Sequence, residues 1–129
     1  MEHKLIYPTN KIGTIDVYQS THHGLEISNN TTLIKSVGPK VAIFNNGPRK
    51  GGHPSVLADL RRVPGFEAVY QVHRNVTSGP GENTDPDKIA NSKEKCEGEW
   101  ITLIVAADAK SYQVKIGAKG KTFSHKTRQ

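Results

Sequence analysis

The segment Lys40-Val41-Ala42-Ile43-Phe44 is a short, almost continuous apolar run, with Gly38-Pro39 before it and a glycine-rich turn after it. A run of that length without polar alternation suits a strand buried on both faces, and such strands belong to parallel sheets covered by helices. Its neighbours fit this reading. Thr31 to Val37 carries Leu33, Ile34 and Val37 at helical spacing, with Ser28-Asn29-Asn30 as N-cap candidates and Gly38-Pro39 as the stop. Pro54 to Arg61 predicts a second helix, with Pro54 in its first turn and Val56, Leu57 and Leu60 on one face. Thr14 to Gln19 reads as a strand, and Phe66 to His73 as another. The order is strand, helix, strand, helix, strand. Short links and apolar strands predict right-handed crossovers and a locally parallel sheet, the α/β class.

The rest of the chain is read more coarsely. Residues 1–13 are expected to be irregular, broken by Pro8 and Gly13. Residues 75–99 hold Gly, Pro, Asn, Asp, Glu and Lys with few apolar side chains, which predicts a mobile loop or excursion. Trp100 to Val105 and Ser111 to Ile116 predict a β-hairpin, and Lys121 to Ser124 a short edge strand. At 129 residues the whole is expected to form one domain.

Composition narrows the function classes. The single cysteine, Cys96, cannot make an internal disulfide and has no second thiol for a redox or metal pair, so it reads as an incidental thiol. No apolar stretch suits a signal peptide or a membrane span, so the expectation is a cytoplasmic protein with no membrane partner. The formal charge is +6, and from Lys110 onward there are six Lys or Arg and no Asp or Glu. That basic end would attract a polyanion such as nucleic acid.

Ligand sites in open α/β sheets gather at the carboxyl ends of the strands. The first strand end carries Thr21-His22-His23-Gly24. Imidazole is a common zinc ligand, and Gly24 lets the backbone turn away behind it. On a strand, adjacent histidines would point to opposite sides, so one would face a metal and the other would orient it or pack. The second strand end carries Asn46, Arg49, Lys50 and His53, candidates for holding a phosphate or carboxylate at a helix N-terminus. The third gives His73 and Arg74, read as an exposed strand end.

The ordered set Asp16 to Gly24, Ser28-Asn29-Asn30, Pro39 to Gly47 and Gly52-His53-Pro54 resembles the C-terminal half of a metallo-β-lactamase-fold hydrolase, closest to the branch that includes the soluble domain of ComEC-type competence proteins. The resemblance covers residues 12–74 well and 100–125 loosely. It implies an αββα sandwich, of which this chain would be the C-terminal half. It also implies a one- or two-zinc site in which His23, or His22, is the last metal ligand. His53, Arg49, Lys50 and Asn46 would then lie on the substrate side. The sequence departs from the family in having no HxHxDH segment and no bridging Asp. The expectation is therefore part of a metal-dependent hydrolase of phosphoesters, lactones or amides, inactive alone and needing its other ligands from another segment or chain; the partners expected are a missing N-terminal half or a homo-oligomer. Two alternatives stand beside it. One is a nucleic-acid-binding module using Arg49, Lys50, Arg61, Arg62 and the basic end. The other is a non-catalytic assembly subunit.

Overall fold

The computed structural model describes residues 3–128. Its elements are α1 (His3–Ile6), β1 (Val17–Gln19), α2 (Thr31–Val37), β2 (Val41–Phe44), α3 (Pro54–Arg61), β3 (Ala68–His73), β4 (Ile89–Asn91), β5 (Ile101–Val105), β6 (Ser111–Ile116) and β7 (Thr122–Lys126), with 3-10 turns at Thr21–Gly24, Glu26–Ser28 and Pro86–Lys88. Four strands form a parallel sheet in the order β1-β2-β3-β4, and three form an antiparallel sheet in the order β5-β6-β7. The α/β reading, the parallel crossovers and the hairpin all agree with this.

β2 owes its central place to its two apolar faces. Ala42 and Phe44 pack with Ile34, Val56, Leu57 and Leu60 of the helices, while Val41 and, half-buried, Ile43 pack against Tyr112 and Val114 of the second sheet. The helices are only seven and eight residues long. Helices that short are marginal on their own, and this packing holds them. Their ends follow ordinary capping chemistry. The Asn30 side chain accepts from the Thr32 N–H, and Gly38 ends α2 in the left-handed conformation.

Two expectations are revised. Residues 1–13 are not wholly irregular, because α1 forms one helical turn and buries Ile6 against Leu33 and Val37. The polar stretch 75–99 is not a plain loop. It contributes β4 to the parallel sheet, pairing Gln71 with Ile89 and His73 with Asn91. The short edge strand expected at Lys121 to Ser124 is present as β7, which pairs with β6 and makes the hairpin a three-stranded sheet.

The second sheet runs across the first. β7 lies at the amino ends of the parallel strands, where the Lys126 carbonyl accepts from Lys40 Nζ and the Arg128 N–H donates to Asp16. β5 lies at their carboxyl ends, where Ile101 and Leu103 line a groove of about 340 Å³ with Gln19, Asn45 and Val72. The layers are helix, parallel sheet and antiparallel sheet. Among the described residues no helix is long and apolar enough to cross a membrane.

Candidate functional site

The histidine pair does not lie on a strand. β1 ends at Gln19, and the chain then enters a 3-10 turn in which His22 (φ 47°, ψ 47°) and His23 (φ 61°, ψ 14°) are both left-handed. Each such residue without a glycine's freedom costs about 1–2 kcal/mol. Local geometry of this kind persists only where surrounding bonds fix it.

Those bonds are present on both sides of the turn. Asn29 Nδ2 donates to the carbonyls of Thr21 and Leu25, and the Tyr18 hydroxyl donates to Asn29 Oδ1. Opposite, the Gly52 N–H donates to the His23 carbonyl and the His53 N–H donates to the Gly24 carbonyl, each at 2.9 Å. The two loops are in backbone contact. A Cβ on Gly51 would stand 2.0 Å from the His23 carbonyl oxygen.

The rings of the pair serve different loops. His22 Nδ1 lies 3.2 Å from Ser28 Oγ, and His22 is exposed. His23 Nδ1 lies 2.9 Å from the Asn45 carbonyl and is half-buried. A carbonyl only accepts, so His23 Nδ1 carries the hydrogen and the neutral ring leaves Nε2 with a free lone pair. Metal-binding histidines are commonly oriented in this way by a backbone carbonyl.

Most of the other candidates have side-chain partners of their own. His53 caps α3: its Nδ1 accepts from the Ser55 N–H at 3.3 Å and sits 2.8 Å from Ser55 Oγ. Its Nε2 is 3.7 Å from Glu26 Oε2. Arg49 is paired with Glu94, which raises its pKa, and Lys50 is exposed. Asn46 is buried, and its Nδ2 donates to the His73 carbonyl at 2.7 Å. Arg61 donates to the Gly81 and Asn83 carbonyls, and Arg62 pairs with Asp59. His73 is buried rather than exposed, and burial lowers its pKa, which keeps the ring neutral.

The loops rest on an amide network absent from the sequence reading. Asn75 Nδ2 donates to the Gly51 carbonyl at 3.0 Å, while the Asn75 N–H and Gln71 Nε2 both donate to Asn83 Oδ1. The only signal for it was the density of Asn in a stretch of low hydropathy. Among the described residues no three His, Cys, Asp or Glu side chains come together so as to hold a metal ion. No family model, curated protein or solved structure matches the chain.

Proposed function

We propose that this chain is the C-terminal portion of a metallo-β-lactamase-type hydrolase, and that His23 is one zinc ligand of a centre whose other ligands come from another segment or chain. One observation carries the proposal: His23 sits in a left-handed turn clamped from both sides, with Nδ1 on the Asn45 carbonyl and Nε2 left free. Zinc with one protein ligand is far short of the three or four that a stable site needs. The chain alone is therefore inactive. In the complete centre, zinc would supply Lewis acidity for hydrolysis, while this chain orients one ligand.

Zinc titration followed by imidazole NMR tests the reading. The expected result is weak binding, lost on dialysis, that perturbs His23 most and His125 not at all. His23→Ala should abolish it. Tight one-to-one zinc retention by the lone chain would contradict the partial site, and a response centred on His53 or His125 would reject His23 as the ligand.

A further inference from the structure

The antiparallel sheet turns one face to the parallel sheet and the other to solvent. Tyr112, Val114 and Ile116 of β6 pack inward, and Phe123 and His125 of β7 reach Tyr70 from the same side. Successive strand residues face opposite ways, so Ser111, Gln113 and Lys115 point outward, as do Thr122, Ser124 and Lys126. On β5, Thr102 and Ile104 share the outer face, opposite Lys115 and Gln113. Trp100 lies there as well. Its Nε1–H donates to Thr102 Oγ1 at 3.1 Å, and it is 55% exposed. Lys115 sits on the central strand between Thr102 and Thr122, next to the residue that the indole contacts.

The charge of this unit is one-sided. From Trp100 to Arg128 there are six Lys or Arg and one acid, Asp108, which lies in the turn between β5 and β6. Lys121 is taken by Asp87, and the Arg128 guanidinium by the Ile15 and Gly38 carbonyls. Lys115 and Lys126 on the face, and Lys110 and Lys119 in the turns at the two ends of β6, form no ion pair among the described residues. The other basic candidates, Arg49, Arg61 and Arg62, are held by Glu94, by two carbonyls and by Asp59.

We propose that this outer face binds single-stranded nucleic acid, with Trp100 stacked on a base and Lys115 and Lys126 on the phosphates. Unpaired cations on a face without a carboxylate attract a polyanion. An indole on an open sheet face stacks on bases that are splayed out, and those of a duplex are already stacked on one another. Thr102, Gln113 and Ser124 lie between the indole and Lys126, and such hydroxyls and amides hold phosphate and sugar without reading sequence. The face does not include the histidine turn, so the proposal stands independently of any role for zinc.

Trp100 is the only tryptophan of the chain, so its fluorescence reports on this face. Titration with a labelled oligothymidylate of about 12 nucleotides at low salt tests the proposal. Tryptophan quenching and the anisotropy of the strand should rise together. Affinity should fall with salt, with a log–log slope of about −0.7 for each phosphate neutralised. Lys115→Gln and Lys126→Gln should each make that slope shallower by about 0.7, while Lys35→Gln, an equal charge change on α2, should leave it as it is. Trp100→Ala should weaken binding about tenfold and keep the slope. All four side chains are away from the core, and circular dichroism checks that each variant is folded. Absence of binding at low salt would overturn the proposal, and a Trp100 shift in phosphatidylserine vesicles under the same conditions would reassign the face to lipid. Binding whose slope ignores both Lys115→Gln and Lys126→Gln would also overturn it, because the strand would lie elsewhere.

Discussion

Gly51→Ala is expected to destabilise the chain by about 3 kcal/mol or more, because it combines a forbidden backbone conformation with a backbone clash. Gly51 has φ +80°, and a Cβ there would lie 2.0 Å from the His23 carbonyl oxygen and 2.7 Å from its carbon. The obstructing atoms are backbone, so no rotamer change relieves them. The turn that carries His23 must move away or the Gly51 loop must lift. Either way the Gly52 N–H loses the His23 carbonyl, and the Gly51 carbonyl is pulled from Asn75 Nδ2. Gly65→Ala is the control: φ is +75° there, but nothing lies within 4 Å of the added methyl. It should cost only about 1–2 kcal/mol, the price of left-handed backbone alone. Urea unfolding of the two variants separates the terms, and equal costs would mean that the loops are not docked as described. Amide exchange at Gly52 gives a local readout, rising in Gly51→Ala and unchanged in Gly65→Ala.

The parallel core was legible because its signals are local. The apolar run at Val41–Phe44, the cap at Asn30, the stop at Gly38-Pro39 and the proline at the start of α3 each act within a few residues. β4 was not legible. Its burial is made by the pairing of Gln71 with Ile89 and by Asn91, whose Nδ2 reaches the Val72 and Glu99 carbonyls. Buried asparagines that satisfy backbone groups look, in a sequence, like the asparagines of a solvated loop. The candidate site was legible only as residue types. That His22 and His23 would be left-handed depends on Gly51 and Gly52, some thirty residues away. The partners of Arg49 and Asn46, Glu94 and the His73 carbonyl, likewise come from distant parts of the chain.

His125→Ala is expected to cost about 2–4 kcal/mol, because His125 joins the two sheets and leaves a buried hydroxyl unpaired when removed. Its Nδ1 lies 2.5 Å from Glu67 Oε2, its Nε2 lies 2.8 Å from the Tyr70 hydroxyl, and its ring stacks on Tyr112. With Nδ1–H donating to the carboxylate, the neutral ring accepts from Tyr70 through Nε2. Tyr70 is fully buried, and burial pushes its phenol up, so it remains a neutral donor. Adding Tyr70→Phe to His125→Ala should therefore recover roughly 1 kcal/mol, since it removes the orphaned hydroxyl. Urea unfolding of the single and double variants checks this, and no recovery would mean that the hydroxyl had found another partner. The same latch has a pH signature. Burial pushes the Glu67 carboxyl up, but hydrogen bonds from His125 and Lys40 and the Lys40 charge outweigh it, so its pKa is lowered in the folded state. The folded chain thus holds the Glu67 proton less readily than the unfolded chain. Its contribution is fully present above the unfolded carboxylate range and disappears as pH falls through the folded value. Glu67→Gln should be less stable than the parent at neutral pH, and the gap should close on acidification. A gap that widened in acid would show that the sheet-to-sheet latch does not rest on the ionised carboxylate.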